Sequence, residues 1–213
     1  MRIGIYGGSF DPIHVGHLMI AETAREQLRL DRVLFLPAAQ SPLKQGFRPT
    51  DAKARIDMIR LAIGGHPQFD VDEREIHRGG ISYTVDTLKE ITSEKRKQGD
   101  APESSSSQDV EWFFLIGGDS LADFSRWKSP DEILRLASMA VVARGGSPEL
   151  DWSVLEPYCD MNAIAKIKNN QIHMAQMEIS SRDIRNRIAS GKTIRYLVPP
   201  AVSAYIESKQ LYR

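Results

Sequence analysis

Two imidazoles three residues apart, His14 and His17, bracket Gly16 in the stretch Tyr6-Gly7-Gly8-Ser9-Phe10-Asp11-Pro12-Ile13-His14-Val15-Gly16-His17-Leu18. Before it, Arg2-Ile3-Gly4-Ile5-Tyr6 is short and apolar enough for a buried strand; after it, Leu18, Ala21, Ala24 and Leu28 recur at helical spacing. The histidines therefore fall where a strand turns into a helix, the place at which α/β folds bind ligands. A helix N-terminus offers unpaired N–H groups and a partial positive charge, which suits phosphate. Gly7 and Gly8 let backbone approach a ligand closely, and Pro12 stiffens the turn through Ser9 and Phe10. In that setting two imidazoles can donate hydrogen bonds to phosphate oxygens as charge builds in a transition state. Two other readings stand beside this one: a metal pair, for which no third ligand has suitable spacing, and plain helix capping. A helix terminus disfavours imidazolium, whereas a bound triphosphate favours it.

A second anion-site candidate is Ser180-Ser181-x-x-x-Arg185, with hydroxyls at a helix start and a guanidinium one turn in. Its alternative is a solvated basic helix carrying Arg182, Arg185 and Arg187. Gly117-Gly118-Asp119 can set a carboxylate near a ribose or a metal-bound phosphate, or cap a helix. Trp127 can stack on an aromatic ligand or fill core. Gly7-Gly8 lacks the G-x-G-x-x-G spacing of a dinucleotide loop, and no Gly-Lys-Ser/Thr follows it as in a Walker loop. No His or cationic residue flanks Cys159, which reads as an ordinary thiol.

The elements that must position these groups alternate. Arg32 to Pro37 reads as a second strand, followed by a loop from Ala38 to Pro49 and a helix capped by Thr50 or Asp51 and ended by Gly64-Gly65. A short strand at Phe69 to Asp72, a turn at Arg78 to Tyr83 and a helix from Thr84 come next. Val110 to Ile116 is the strongest buried-strand signal. Ser129-Pro130-Asp131-Glu132 has capping-box spacing, Met139 to Ala143 is another strand, and 147–170 reads as a connection with a short helix. Gln171 to Ile179 is expected to hold the last strand, before helices opened by Ser180-Ser181 and by Pro199-Pro200. The expected fold is α/β, a doubly wound, mostly parallel sheet with a C-terminal helical portion. Residues 1–213 read as a single domain with a flexible loop at 99–109, where four serines run together.

Lys+Arg and Asp+Glu both number 28, so bulk charge points to neither nucleic acid nor an anionic membrane as partner. A single cysteine excludes an intramolecular disulfide framework and fits a cytoplasmic setting. No apolar run approaches the ~20 residues that span a bilayer, and a charged Arg2 entering a strand argues against a signal peptide. A homodimer is compatible with the sequence.

Gly8-x-Phe10-x-Pro12-x-His14-x-Gly16-His17, together with Ile179-Ser180-Ser181-x-x-Ile184-Arg185, resembles the nucleotidyltransferase superfamily with HxGH and ISSTxIR-type motifs. Within it, the chain is similar to the bacterial nicotinate-nucleotide adenylyltransferases. The likeness runs through Leu36-Pro37 with Lys44, Arg55-x-x-Met58, Ser82-Tyr83-Thr84-x-Asp86-Thr87-Leu88, Gly117-Gly118-Asp119-Ser120, Trp127, Val142-x-Arg144 and the stretch from Val198-Pro199 to Tyr212. The resemblance implies a Rossmann-like fold and transfer of AMP from ATP to nicotinate mononucleotide, with Mg2+ carried on the ATP phosphates. It implies phosphate contacts by His14, His17, Lys44 and Arg185, and an ATP site formed with Gly7, Gly8, Ser9, Phe10, Gly16, Ser180, Ser181 and Ile184. It places the mononucleotide near Tyr83, Thr84, Gly117, Asp119, Trp127 and Arg144. The chain departs from the family at Ser41-Pro42-Leu43-Lys44, where Pro-Pro-His-Lys is usual, and at Arg182, where Thr is common. A sister transferase acting on another phosphorylated acceptor and a non-catalytic nucleotide-binding regulator remain the alternatives.

Overall fold

In the computed structural model the described residues are 1–43, 46, 49–98, 110–144, 149–175 and 177–213. Within them, Arg2–Gly8 (β1), Arg32–Pro37 (β2), Phe69–Val71 (β3), Glu111–Gly117 (β4), Ser138–Arg144 (β5) and Ile172–Met174 (β6) form one sheet. The order is β3-β2-β1-β4-β5-β6 and every pairing is parallel. Helices Val15–Gln27 (α1), Ala52–Ile63 (α2), Arg74–Arg78 (α3), Thr84–Gln98 (α4), Gly118–Ala122 (α5), Pro130–Leu136 (α6), Met161–Asn169 (α7), Ser181–Ala189 (α8) and Pro200–Ser208 (α9) make the crossovers and the C-terminal portion.

The apolar runs of the strands are unbroken because both faces of the sheet are covered. Tyr6, Phe35, Phe113, Leu115 and Val142 pack on one face against α1, α2, α8 and α9. Their neighbours Ile5, Leu36, Phe114, Ile116 and Val141 pack on the other against α4, α5, α6 and α7. The strand order reverses between β1 and β4. At such a point the two flanking connections leave toward opposite faces and open a crevice at the carboxyl ends.

Several expectations change. The capping box at Ser129 does not form, because Ser129 takes a left-handed backbone (φ 51, ψ 62) and makes no side-chain cap bond. An N-cap oxygen reaches its N–H from extended backbone, which Ser129 lacks; Pro130 does start α6. The turn expected from Arg78 follows directly on α3, a short helix the sequence reading lacked. The last strand spans only Ile172–Met174, and 147–170 holds a 3-10 turn at Trp152–Leu155 besides α7. Asp51, not Thr50, caps α2 by accepting from Ala54 N–H at 3.2 Å. The loop expected at 99–109 lies outside the described residues.

Glu75 of α3 is buried beneath the β1–β4 crevice, where its carboxylate accepts the Thr87 hydroxyl at 2.6 Å. Ser82 also bonds Glu75, and its hydroxyl oxygen accepts from Ala39 N–H at 2.9 Å, so α3, α4 and the loop after β2 meet at one carboxyl. Burial raises the Glu75 pKa against the opposing hydrogen bonds from Thr87 and Ser82. A carboxyl raised on folding contributes stability that is full below its unfolded pKa, about 4.3, and lost as pH rises through the folded value. Glu75→Gln removes that titration. Its melting temperature relative to wild type is expected to rise as pH increases above about 4.3 and then to level off in thermal unfolding; a difference that falls with pH contradicts the assignment.

Candidate active site

The crevice at the carboxyl ends of β1 and β4 is a cleft of about 430 Å3. One side is lined by Gly7, Gly8, Ser9 and His17, the far side by Tyr83, Thr84, Gly117, Asp119 and Trp127. Residues more than 100 positions apart in sequence are therefore brought to one opening. Gly7 and Gly117 face open space where a Cβ would stand, so a ligand can reach the backbone there.

The first turn is built on an aromatic floor. Phe10, 1% exposed and at a positive φ of 46°, folds back under the turn, edge-on to Tyr6 at 5.5 Å and to His17 at 5.0 Å. A Cβ on Gly8 would meet the Phe10 ring at 3.0 Å, so glycine there makes room for that floor. His14 is the N-cap residue of α1, and its ring stacks on His17 with centroids 3.6 Å apart. A Cβ on Gly16 would press on the His14 ring at 3.1 Å, which explains the glycine between the two histidines.

His14 N–H donates to His17 Nδ1 at 3.2 Å. An accepting Nδ1 carries no proton, so the remaining proton of the His17 imidazole sits on Nε2 and makes it a donor. His17 lines the cleft. His14 is buried at 6% exposure and meets the cleft through the ring of His17 stacked on it.

The second motif is docked against the same turn. Ser181 Oγ donates to the Pro12 carbonyl at 2.9 Å, and Arg185 Nη1 donates to the Asp11 carbonyl at 2.6 Å. Ser180 caps α8, its Oγ accepting from Asp183 N–H at 3.0 Å. Ile184 is fully buried and anchors α8 in the core. Ser181 and Arg185 thus dock α8 on the turn through its carbonyls, and exposed Ser180 starts the helix beside them. Lys44 lies outside the described residues, as does the side chain of Arg144, whose backbone ends β5.

On the far side, Trp127 packs edge-on against Phe114 with centroids 5.6 Å apart. Lys128 Nζ stands 4.6 Å from the Tyr83 ring centre and pairs with Asp86 at 2.9 Å. Lys128 and Arg126 line the cleft and were missed, since nothing in their spacing tells a lining cation from a solvated one. Arg55 was met only as part of the resemblance, yet it is 1% exposed and donates to the carbonyls of Ser9 and Ala38 at 2.9 and 2.8 Å. Its signal was readable: Arg55 sits one turn before Ile59 on the apolar face of α2. Among the described residues no group of three or more His, Cys, Asp or Glu side chains could hold a metal ion, and no helix is long and apolar enough to cross a membrane.

The cytidylyltransferase-like family model matches residues 5–187. A Rhodopirellula baltica protein named "Probable nicotinate-nucleotide adenylyltransferase" is 43% identical over 211 residues, covering 99% of this chain and 93% of that protein. A protein of the same name from Herpetosiphon aurantiacus is 41% identical over 99% of this chain and 98% of its own length. Among solved structures, the Plasmodium falciparum nicotinic acid mononucleotide adenylyltransferase complexed with NaAD superposes with a TM-score of 0.72 at 19% identity, covering 99% of this chain and 97% of that one. This last likeness speaks for the fold. The chain belongs to the cytidylyltransferase-like family and, within it, to the nicotinate-nucleotide adenylyltransferases.

Proposed function

We propose that this chain transfers the adenylyl group of ATP to nicotinate mononucleotide, giving nicotinate adenine dinucleotide and pyrophosphate in NAD biosynthesis. The observation that carries the reading is the single cleft joining the His17 turn to the Tyr83–Trp127 wall. A phosphate-binding turn needs an acceptor beside it, and a cleft with an aromatic wall suits a flat heterocycle. The full-length relatives and their common name support the choice of acceptor. Residues 1–213 are read as one nucleotidyltransferase domain acting in the cytoplasm.

A phosphate oxygen of the mononucleotide attacks the α-phosphorus of ATP in line. The new P–O bond forms as the bond to the bridging oxygen breaks, and pyrophosphate leaves with that electron pair. The attacking phosphate is already anionic at neutral pH, so no strong base and no covalent enzyme intermediate are needed. Positioning and charge stabilisation carry the rate. Nε2–H of His17 donates to the phosphate at the reacting centre, with His14 fixing its plane from the stacked position. ATP enters with Mg2+ on its phosphates, which neutralises their charge. Lys44, Ser180, Ser181 and Arg185 hold the triphosphate and the leaving pyrophosphate. Arg185 can do this while bonding the turn, because a guanidinium has five N–H donors. Asp119 meets the ribose or the metal-bound phosphate, and Tyr83, Thr84 and Trp127 receive the nicotinate.

A pyrophosphate-release assay with ATP and Mg2+ tests the acceptor. Nicotinate mononucleotide is expected to turn over fastest among a panel with nicotinamide mononucleotide and phosphopantetheine; faster release with either of the others overturns the assignment. For the first turn, His17→Ala is expected to lower kcat by roughly 10^2–10^3-fold, the range for a lost transition-state donor, with circular dichroism unchanged. Near-normal turnover by the folded variant removes His17 from the mechanism.

A further inference from the structure

Tyr212 is the penultimate residue, and the reaction described above gives it nothing to do. Its hydroxyl nevertheless lies under the phosphate turn, donating to Asp11 Oδ1 at 2.6 Å. The other oxygen, Asp11 Oδ2, accepts Thr50 N–H at 2.9 Å, and the Thr50 hydroxyl bonds the phenol as well. Asp11 is 1% exposed, so none of these bonds is diluted by solvent. Burial, then the neighbouring Asp11 charge, push the Tyr212 pKa far above its ordinary value, so the phenol stays a donor.

This contact closes a ring of bonds around the turn. Arg55 joins it from α2, holding the Ser9 and Ala38 carbonyls through Nη1 and the Thr50 carbonyl through Nε at 3.0 Å. Ala38 N–H in turn donates to the Gly8 carbonyl at 2.9 Å. Both ends of the connection 38–50 are therefore tied to the turn, at Ala38 through Arg55 and at Thr50 through Asp11 and Tyr212. Ser41, Pro42 and Leu43 of that connection line the same cleft as His17.

We infer that Tyr212 is a positioning residue for adenylyl transfer: by bridging Asp11 and Thr50 it fixes the histidine turn against Thr50, the residue that leads into α2. The inference rests on the proposed function. Small displacements of groups aligned on a reacting centre cost rate steeply, whereas ground-state binding is spread over the whole cleft.

The test compares Tyr212→Phe with Tyr205→Phe by pyrophosphate release from ATP and nicotinate mononucleotide, each well below its melting temperature. Tyr205 is a matched control, since its hydroxyl donates to Asp57 at 2.9 Å from the same C-terminal segment without touching the turn. Tyr212→Phe is expected to lower kcat about tenfold with both KM values within about twofold of wild type, and Tyr205→Phe to leave kcat unchanged. Thr50→Val, which keeps the Thr50 N–H bond and loses the hydroxyl, is expected to lower kcat less and to be non-additive with Tyr212→Phe. It also decides the matter where Tyr212→Phe does not fold. A wild-type kcat in both Tyr212→Phe and Thr50→Val, a loss confined to KM, or an equal loss in Tyr205→Phe overturns the inference. Failure of the wild-type enzyme to release pyrophosphate overturns the function itself and is read separately.

Discussion

The turn between β1 and α1 leaves the sheet with carbonyls that nothing in its own element can satisfy, and much of the remaining structure answers that demand. Ser9, Asp11 and Pro12 each present a backbone oxygen in or near the core, where an unpaired acceptor is costly. The donors come from far along the chain: Arg55 from α2, Ser181 and Arg185 from α8. The distant serine–arginine motif is therefore a structural partner of the turn. Its spacing follows from this, because residues 181 and 185 lie one helical turn apart and meet adjacent carbonyls.

The parallel sheet fixes where that turn can do chemistry. With β1 beside β4, the N-termini of α1 and α5 open on the same crevice, one carrying His17 and the other Asp119. A reaction between two phosphates asks for donors and room, and the cleft supplies both. His17 is aimed by a backbone N–H on its Nδ1, and Gly7 and Gly117 leave the backbone uncovered. The aromatic packing of Phe10 beneath His17 then limits how far the imidazole can move.

The central strands were legible because burial on both faces makes them continuous apolar runs, and α2, α8 and α9 because Asp51, Ser180 and Pro200 mark their starts. What failed was short or set by tertiary context. Ser129 carries every local sign of a capping box, yet its backbone is held left-handed where the chain leaves Trp127. The five residues of α3 are too few to show a period, and β6 is three residues whose pairing to β5 no local signal announces. At the site, the histidine turn was readable from residue types alone, while Lys128 and Tyr212 became visible only when the chain had folded. Their partners lie 42 and 201 positions away.

Glu75 shows why a perturbed acid in a cleft need not be a base. It is buried, its pKa is raised, and it lines the opening, the usual marks of a general base. Its oxygens, however, are taken by the hydroxyls of Thr87 and Ser82, and Thr87 accepts in turn from Arg78 at 2.9 Å. Two hydroxyls donating to the carboxylate stabilise its charged form and so oppose the proton uptake a base must perform. The proposed nucleophile needs no proton removed. The carboxyl is better explained by what it joins: α3, α4 and, through Ser82, the start of the connection whose far end Tyr212 holds. Both ends of that connection are thus held by buried acids, Glu75 through Ser82 and Asp11 through Thr50.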